Sequence, residues 1–185
     1  MEEFSLYVLD ITMNSVRAGA DEIGVKLEEN DGVLTFSVTD NGCGMVKEQV
    51  EKLRDPFYTT RKTRGVGLGI PFLTMLSEMT GGHVTIESRS EKEFKDSHGT
   101  VITATFGIDH IDFIPLGDMI GTVITLIQGS PDINFTYDHI TPAGTVHLSC
   151  AELREVLGDD ISLGEFEILE WIRGYLEESY AELKR

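Results

Sequence analysis

Three short stretches of the chain carry polar residues at spacings that suit chemistry: Asp10 with Asn14, then Asp40 to Gly44, then Gly65 to Gly69. The first offers two oxygen ligands, the second a carboxylate beside a glycine-rich turn, and the third a run of glycines at the start of a helix. Each feature is common on its own. Their order and separations together predict a site for ATP and its metal ion.

The first stretch lies in a segment whose apolar residues recur near helical spacing. Asp10 and Asn14 are four positions apart, so both side chains project from one face of the predicted helix. A carboxylate and an amide placed there can bind a hard cation such as magnesium, which keeps several waters and bridges phosphates. The alternative is a helix with two solvated polar residues beside its core face.

The second stretch ends a predicted strand. Alternation over residues 33–38, preceded by the hairpin signal Asn30-Asp31-Gly32, predicts two antiparallel strands. Asp40 follows, with Gly42 and Gly44 allowing the backbone to turn sharply and approach a ligand. A carboxylate at a strand end can accept a hydrogen bond from the amino group of adenine. A plain Asp-Asn-Gly turn is the alternative interpretation.

The third stretch opens a predicted helix that ends at Gly81-Gly82. Backbone N–H groups at a glycine-rich helix start bind phosphate, and the helix dipole favours the negative charge. No Gly-Lys-Ser/Thr follows the glycines, so the pattern is not a Walker loop.

A basic segment separates the second and third stretches. Five lysines and arginines fall between residues 52 and 64, in a chain whose formal net charge is −17. Such a concentration of cations beside glycines predicts a bound anion. We expect a mobile lid here whose phosphate-contacting residues are Thr59, Thr60, Arg61 and Lys62. The alternative is a solvated, flexible loop.

Taken as a set, the three stretches resemble the N box and the two glycine boxes of the GHKL superfamily, which includes sensor histidine kinases, type II topoisomerases, heat-shock chaperones and mismatch-repair ATPases. The segments 55–62 and 65–70 are most similar to histidine kinases. The resemblance covers residues 1–106 and implies a Bergerat-type α+β fold: a two-layer α/β sandwich with a mixed, mostly antiparallel sheet.

The resemblance also implies roles for individual residues. It makes Asn14 the magnesium ligand, Asp40 the adenine reader, and Gly42 and Gly44 the turn beneath the base. Asp10 occupies the position where ATPases of this superfamily usually carry glutamate as general base, and the shorter aspartate argues against efficient hydrolysis. The implied phosphate-facing residues are Gly65, Gly67, Leu68 and Gly69.

A histidine kinase needs a helical hairpin with a phospho-accepting histidine before its ATP domain, whereas here the N box begins within ten residues of Met1. All five histidines follow the predicted lid. We therefore expect a magnesium- and ATP-dependent protein kinase that phosphorylates a partner protein in trans, as the stand-alone anti-sigma-factor serine kinases of this superfamily do. The alternatives are a non-catalytic, nucleotide-dependent switch that regulates a bound protein, and a slow ATPase.

Composition agrees with a cytoplasmic protein. The chain has 185 residues, of which 41% are hydrophobic, enough for a packed core. The longest apolar run, residues 119–127, is too short to span a bilayer, and the first residues do not form a signal peptide. Two cysteines, Cys43 and Cys150, fit a reducing compartment.

Residues 107–185 are predicted to form a smaller α+β extension that serves as a partner or dimerisation element. This segment holds four basic against 15 acidic side chains, a surface that would repel a nucleic acid backbone. The apolar run 114–127 predicts a helix, although its β-branched residues leave a buried strand open. Residues 133–137 and 145–148 predict a hairpin.

Two capping boxes, Ser149–Glu152 and Ser162–Glu165, predict helix starts in this segment. The last helix, 163–183, is expected to turn an apolar stripe of Phe166, Leu169, Ile172 or Trp171, and Leu176 toward its own core or a partner. His139 and His147 could face each other across the hairpin as metal ligands, but without a third ligand a structural role is favoured.

Overall fold

The computed structural model describes residues 2–53, 69–158 and 161–183. Within these residues lie six helices and six strands. The helices are α1 (Phe4–Arg17), α2 (Lys47–Lys52), α3 (Gly69–Met79), α4 (Met119–Gly129), α5 (Cys150–Leu157) and α6 (Phe166–Glu182). The strands are β1 (Glu22–Asn30), β2 (Val33–Asp40), β3 (Val84–Arg89), β4 (Gly99–Gly107), β5 (Asn134–Thr141) and β6 (Gly144–Ser149).

The strands form one sheet in the order β3-β4-β2-β1-β5-β6. Every neighbouring pair is antiparallel except β1 and β5, which are parallel. The predicted α+β fold with a mixed, mostly antiparallel sheet is therefore confirmed.

The two faces of the sheet differ in polarity because side chains alternate along each strand. One face is apolar, as in the row Ile86, Ile102 and Val38 across β3, β4 and β2, and carries the helices. The opposite face is polar, as in the row Thr85, Thr103 and Ser37. The helix-covered face and its helices enclose the core, so the architecture has two layers.

The first turn of α1 is fixed by the segment that precedes α4. Phe4 and Ser5 donate their backbone N–H groups to the carbonyls of Pro115 and Leu116, at 2.9 and 2.8 Å. These bonds satisfy donors that a helix start leaves free, where no side chain caps α1. The Phe4 ring packs edge-to-face on two core rings, Phe36 and Phe106.

Two predicted helix starts were wrong. Helix α4 begins at Met119 and not at residue 114, because Gly117 adopts a φ of +75° and Asp118 caps the helix through the Gly121 N–H. Helix α6 begins at Phe166 and not at residue 163, since the Ser162 hydroxyl accepts the nearby Gly164 N–H. The cap at Ser149, which accepts the Glu152 N–H, is confirmed.

The buried stripe of α6 is narrower than predicted. Leu169, Ile172 and Leu176 are buried in the protein's own core, whereas Phe166 and Trp171 are exposed. The helix therefore presents aromatic side chains to solvent.

The strands of residues 107–185 extend the sheet that residues 1–106 begin, through the parallel pairing of β5 with β1. All six strands therefore belong to one continuous sheet. That residues 1–106 and residues 107–185 are two separate domains stays a prediction.

A buried hydrogen-bond network joins β1, β5 and α6. His139 is 3% exposed, and its Nε2 lies 3.0 Å from a carboxylate oxygen of Glu29 while its Nδ1 lies 2.8 Å from the Tyr180 hydroxyl. The Tyr180 hydroxyl lies 2.6 Å from that of Tyr137. A consistent arrangement has Tyr137 donating to Tyr180, Tyr180 to Nδ1, and Nε2–H to Glu29.

The two phenols of this network are neutral at physiological pH. Burial raises the pKa of Tyr180 to about 12, although the hydrogen bond from Tyr137 acts to lower it. Burial also raises the pKa of Tyr137, to which Tyr180 adds. The network therefore keeps both hydroxyl protons, as the hydrogen-bond chain requires.

The histidines of the β5–β6 hairpin do not form a metal site. His147 lies opposite Asp138, so its side chain is on the other face of the sheet from His139, and its Nδ1 lies 2.6 Å from the Asp138 carboxylate. Among the described residues, no group of three or more metal-ligating side chains converges. The favoured structural role of these histidines fits their contacts.

None of the helices in the described ranges is long and apolar enough to cross a membrane.

We predict that Tyr180→Phe lowers the free energy of unfolding by about 1–3 kcal/mol, because it leaves the buried Tyr137 hydroxyl and His139 Nδ1 without a partner. Tyr175→Phe is the matched control. Its hydroxyl donates to the His147 carbonyl from an exposed position, where water can replace it, so we expect a loss below about 1 kcal/mol. Urea denaturation followed by circular dichroism measures both, and equal losses would contradict a buried network.

Candidate functional site

A polar row ends the apolar face of the sheet. Ser88, Thr100 and Asp40 lie opposite one another on β3, β4 and β2, one pleat beyond the row Ile86, Ile102 and Val38. Because side chains two residues apart share a face, all three point toward the helix-covered side. The Ser88 and Thr100 hydroxyls lie 2.9 Å apart. The core thus gives way to polar groups at the edge where β2 ends.

The Asp40 carboxylate is held by three donors. Ser15 of α1 donates its hydroxyl to Oδ2 at 2.5 Å, while the backbone N–H groups of Gly42 and Thr100 donate to Oδ1 at 2.9 and 3.2 Å. A carboxylate offers about four acceptor positions, so one remains for a ligand. The half-buried carboxylate is therefore oriented before any ligand arrives.

Asp40 opens onto a cavity of about 640 Å³ formed by described residues. Its volume lies within the range of about 300–1,000 Å³ that small-molecule sites occupy. The lining combines apolar and polar side chains, among them Met45, Ile86, Ser88, His98 and Thr100. An apolar ring with polar edges could lie between such groups.

The glycine turn after Asp40 is pressed against its neighbours. A Cβ on Gly42 would come 2.8 Å from the Cβ of Ala18, at the end of α1. Gly44 has a φ of +61°, and a Cβ there would overlap the Arg89 carbonyl oxygen. The His98 Nδ1–H donates to the Gly42 carbonyl at 2.6 Å, since a carbonyl only accepts. A side chain at position 42 or 44 would therefore require neighbouring atoms to move.

The second half of the site lies between α1 and α3. Gly69, the first residue of α3, packs so closely on α1 that a Cβ would overlap Oδ2 of Asp10. Asn14 lies one turn further along α1 and accepts a hydrogen bond from Arg17 at 3.1 Å. Asp10 and Asn14 are both half-buried. Two oxygen-bearing side chains thus lie on the α1 face that adjoins the glycine end of the third stretch.

The structure brings several predicted site residues together. Asp40, Gly42 and Gly44 form one turn, and Asp10 adjoins Gly69. Ser15, the neighbour of Asn14, joins the two groups through its bond to Asp40. The remaining predicted residues lie outside the described ranges, and their roles stay predictions: Thr59, Thr60, Arg61, Lys62, Gly65, Gly67 and Leu68.

Sequence reasoning missed Ser15, Ser88 and Thr100. Ser15 is a buried serine four residues after Ile11, on the core face of α1, where a polar residue needs a partner. That pattern was a usable signal. Ser88 and Thr100 join the site only through strand register, which the sequence does not display.

The family of the chain follows from a direct comparison. Residues 3–110 match the family model described as "Histidine kinase-, DNA gyrase B-, and HSP90-like ATPase". The chain belongs to this family. The match contains the polar row, the glycine turn and the described part of the α1–α3 junction, and it confirms the GHKL resemblance.

Curated relatives include bacterial sensor kinases. Sporulation kinase B of Bacillus subtilis (strain 168) is 30% identical over 105 residues, which cover 55% of this chain and 23% of that protein. Sensor histidine kinase ZraS of Escherichia coli (strain K12) is 30% identical over 87 residues, covering 46% and 18%. The chain thus spans less than a quarter of the length of these relatives.

A solved structure extends the likeness beyond residue 110. The MutL ATPase domain of Aquifex aeolicus, determined with ADP, has a TM-score of 0.55 at 17% identity and covers 84% of this chain and 67% of that one. At this identity the likeness shows the fold alone. Coverage of 84% requires that the likeness includes residues beyond 110.

We predict that Gly44→Ala lowers the free energy of unfolding by about 2–5 kcal/mol, because alanine is strained at this φ and its Cβ would strike the Arg89 carbonyl. Gly19→Ala is the matched control. Gly19 has a φ of +75° and nothing within 4 Å of its Cβ position, so strain alone should cost about 1–2 kcal/mol. Chemical denaturation measures the free energy of unfolding of both variants. If Gly44→Ala loses no more than Gly19→Ala, the turn can accommodate a Cβ and the expected clash with the Arg89 carbonyl is absent.

Proposed function

We propose that the chain binds ATP with magnesium and transfers the γ-phosphoryl group to a partner protein. The observation that carries the proposal is the Asp40 carboxylate, which three donors hold at the end of the sheet's apolar face, open to a cavity of about 640 Å³. Membership of a family described as ATPases supports the nucleotide, and similarity to proteins named as kinases supports the transfer.

Adenine fits the acceptor that Asp40 leaves free. Its exocyclic amino group would donate to Oδ2, while the ring would lie between apolar side chains such as Met45 and Ile86. Guanine presents a carbonyl oxygen at the corresponding ring position, which a carboxylate would repel. The site should therefore select adenine.

Magnesium fits the oxygen ligands of α1. The Asn14 side-chain carbonyl has two lone pairs, and Arg17 uses one of them. Asp10 adds a carboxylate on the same helix face. When bound, the metal would neutralise charge on the phosphates, which would also accept N–H groups near the start of α3.

Asp10 is the proposed base. Its carboxylate would accept the proton of an attacking serine hydroxyl, or would orient the acceptor where that is histidine. None of the five histidines of the chain lies on a helix: His83, His98 and His110 are in loops, and His139 and His147 are in strands. This placement supports an acceptor outside residues 1–185.

A nucleotide-dependent switch is the second candidate. Oδ2 of Asp10 lies against Gly69. If this contact holds the short carboxylate out of hydrogen-bond reach of the reacting group, the chain would bind ATP without transferring phosphoryl, and its affinity for a partner protein would then depend on the bound nucleotide. Residues 107–185 are the proposed partner element in both cases.

We predict that the chain transfers label from γ-labelled ATP to a partner protein, provided that magnesium is present, and that Asp10→Asn lowers the transfer rate by at least about tenfold. The test incubates the purified chain with labelled ATP and candidate acceptors, and follows both labelled protein and released phosphate. Acid treatment of the product separates phosphoserine, which survives, from phosphohistidine, which does not.

Three outcomes separate the candidates. Labelled acceptor supports the kinase. Nucleotide-dependent association without label contradicts the kinase and supports the switch, whereas released phosphate that falls in Asp10→Asn supports the slow ATPase. Asp132→Asn, an exposed aspartate on the loop before β5, is the control that should leave every rate unchanged.

A further inference from the structure

The solvent side of α6 carries a continuous stripe of five exposed side chains. Their spacing of four, four, three and four residues places them along one side of the helix, opposite the buried Leu169, Ile172 and Leu176. We call this set the α6 stripe, and its members are Glu167, Trp171, Tyr175, Glu178 and Glu182.

The middle of the α6 stripe is a flat aromatic platform. The rings of Trp171 and Tyr175 stack with centroids 5.6 Å apart and planes 6° from parallel. They remain 55% and 39% exposed. Tryptophan and tyrosine are enriched among the residues that dominate protein interfaces, because they offer large contact areas at low entropic cost.

Carboxylates surround this platform. Helix α6 holds five glutamates against one arginine, and that arginine, Arg173, pairs with Glu170 at 3.5 Å, off the stripe. Within the described ranges, no cation pairs with Glu167, Glu178 or Glu182. The stripe borders a groove of about 410 Å³ that α6 forms with the β5–β6 turn, lined in part by Tyr175, Glu178 and Glu182.

We propose that the α6 stripe binds an arginine-bearing, positively charged segment of a partner protein. A planar guanidinium can stack on the Trp171–Tyr175 platform while its N–H groups reach the flanking carboxylates. The charge of residues 107–185, four basic against 15 acidic side chains, attracts a basic segment over a longer range.

A second copy of the chain is a poorer occupant of this surface. A two-fold dimer would place the same patch on both sides of the interface, so that glutamates would face glutamates. A basic partner has the complementary charge.

This inference goes beyond the proposed function and does not depend on nucleotide binding. Helix α6 packs on β6 and α4, whereas Asp40 lies on β2 beside β4 and α1. Loss of ATP binding and loss of partner binding can therefore be measured separately.

The single tryptophan of the chain gives a direct readout, because Trp171 is part of the stripe. The probe is a synthetic 15-residue helical peptide with arginines at every fourth position and alanines between them. Titration of the full chain is expected to change Trp171 emission saturably, with weaker binding as salt is raised. A peptide with lysine in place of arginine should bind several-fold more weakly, and equal binding would contradict recognition of the guanidinium plane.

Variants locate the site. Glu178→Gln with Glu182→Gln should weaken binding about three- to tenfold, whereas Glu48→Gln with Glu51→Gln, an equal loss of charge on α2, should leave it within twofold. By calorimetry, Trp171→Ala should weaken binding at least about tenfold. Phe166→Ala, which removes an exposed aromatic from another side of α6, should not.

Two kinds of result would overturn the proposal. Peptide binding without a change in Trp171 emission, or an equal effect of the α2 and α6 charge variants, would show that net charge alone attracts the peptide and would overturn the proposal. Sedimentation of the peptide-free chain as a dimer that shields Trp171 would overturn it in favour of a second copy. Circular dichroism of each variant establishes that the fold is retained.

Discussion

The candidate site depends on one feature of the sheet: its helix-covered face changes from apolar to polar at the end of β2. One pleat beyond Val38 and Ile102, the same face carries Asp40 and Thr100. A half-buried carboxylate there must be hydrogen-bonded, since an unpaired buried charge is costly. Ser15 and two backbone N–H groups meet that need and also fix where the carboxylate points. The hydrogen bonds that this carboxylate requires therefore also orient it at the cavity where we propose that adenine binds.

The two segments of the chain share one sheet and one set of supporting contacts. Pairing of β5 with β1 makes the layer continuous, while the first N–H groups of α1, the helix that bears Ser15, are bonded to carbonyls of Pro115 and Leu116. A buried hydrogen-bond network also joins β1 to β5 and α6, through Glu29, His139, Tyr180 and Tyr137. It lies at the end of β1 that is farther from Asp40. Residues 107–185 therefore support the helix that positions the site as well as providing a separate outer surface.

Local patterns predicted much of this structure. Periodicity gave α1 and α3, turn chemistry gave the β1–β2 hairpin, and the glycines around Asp40 marked the turn. Ser88 and Thr100 were missed because their place in the site depends on pairing between distant strands. Thr100 joins Asp40 only because β4 pairs with β2 in that register, and parallel pairing of β5 with β1 follows from no local signal. The sequence left Ile172 or Trp171 open as the apolar-facing residue of α6, and the structure buries Ile172 and exposes Trp171.

Calorimetric titration of magnesium and ATP into the wild type and Asp40→Asn tests most directly whether Asp40 recognises adenine, the interaction on which the proposed function rests. Asparagine can keep its oxygen on the Gly42 and Thr100 N–H groups, but its amide would then turn a donor toward the adenine amino group. We expect the affinity of Asp40→Asn for magnesium and ATP to fall about 10- to 100-fold, equivalent to about 1.4–2.8 kcal/mol, while its thermal stability changes little. Unchanged affinity in Asp40→Asn, or no binding heat in the wild type at millimolar nucleotide, would contradict the recognition of adenine by Asp40.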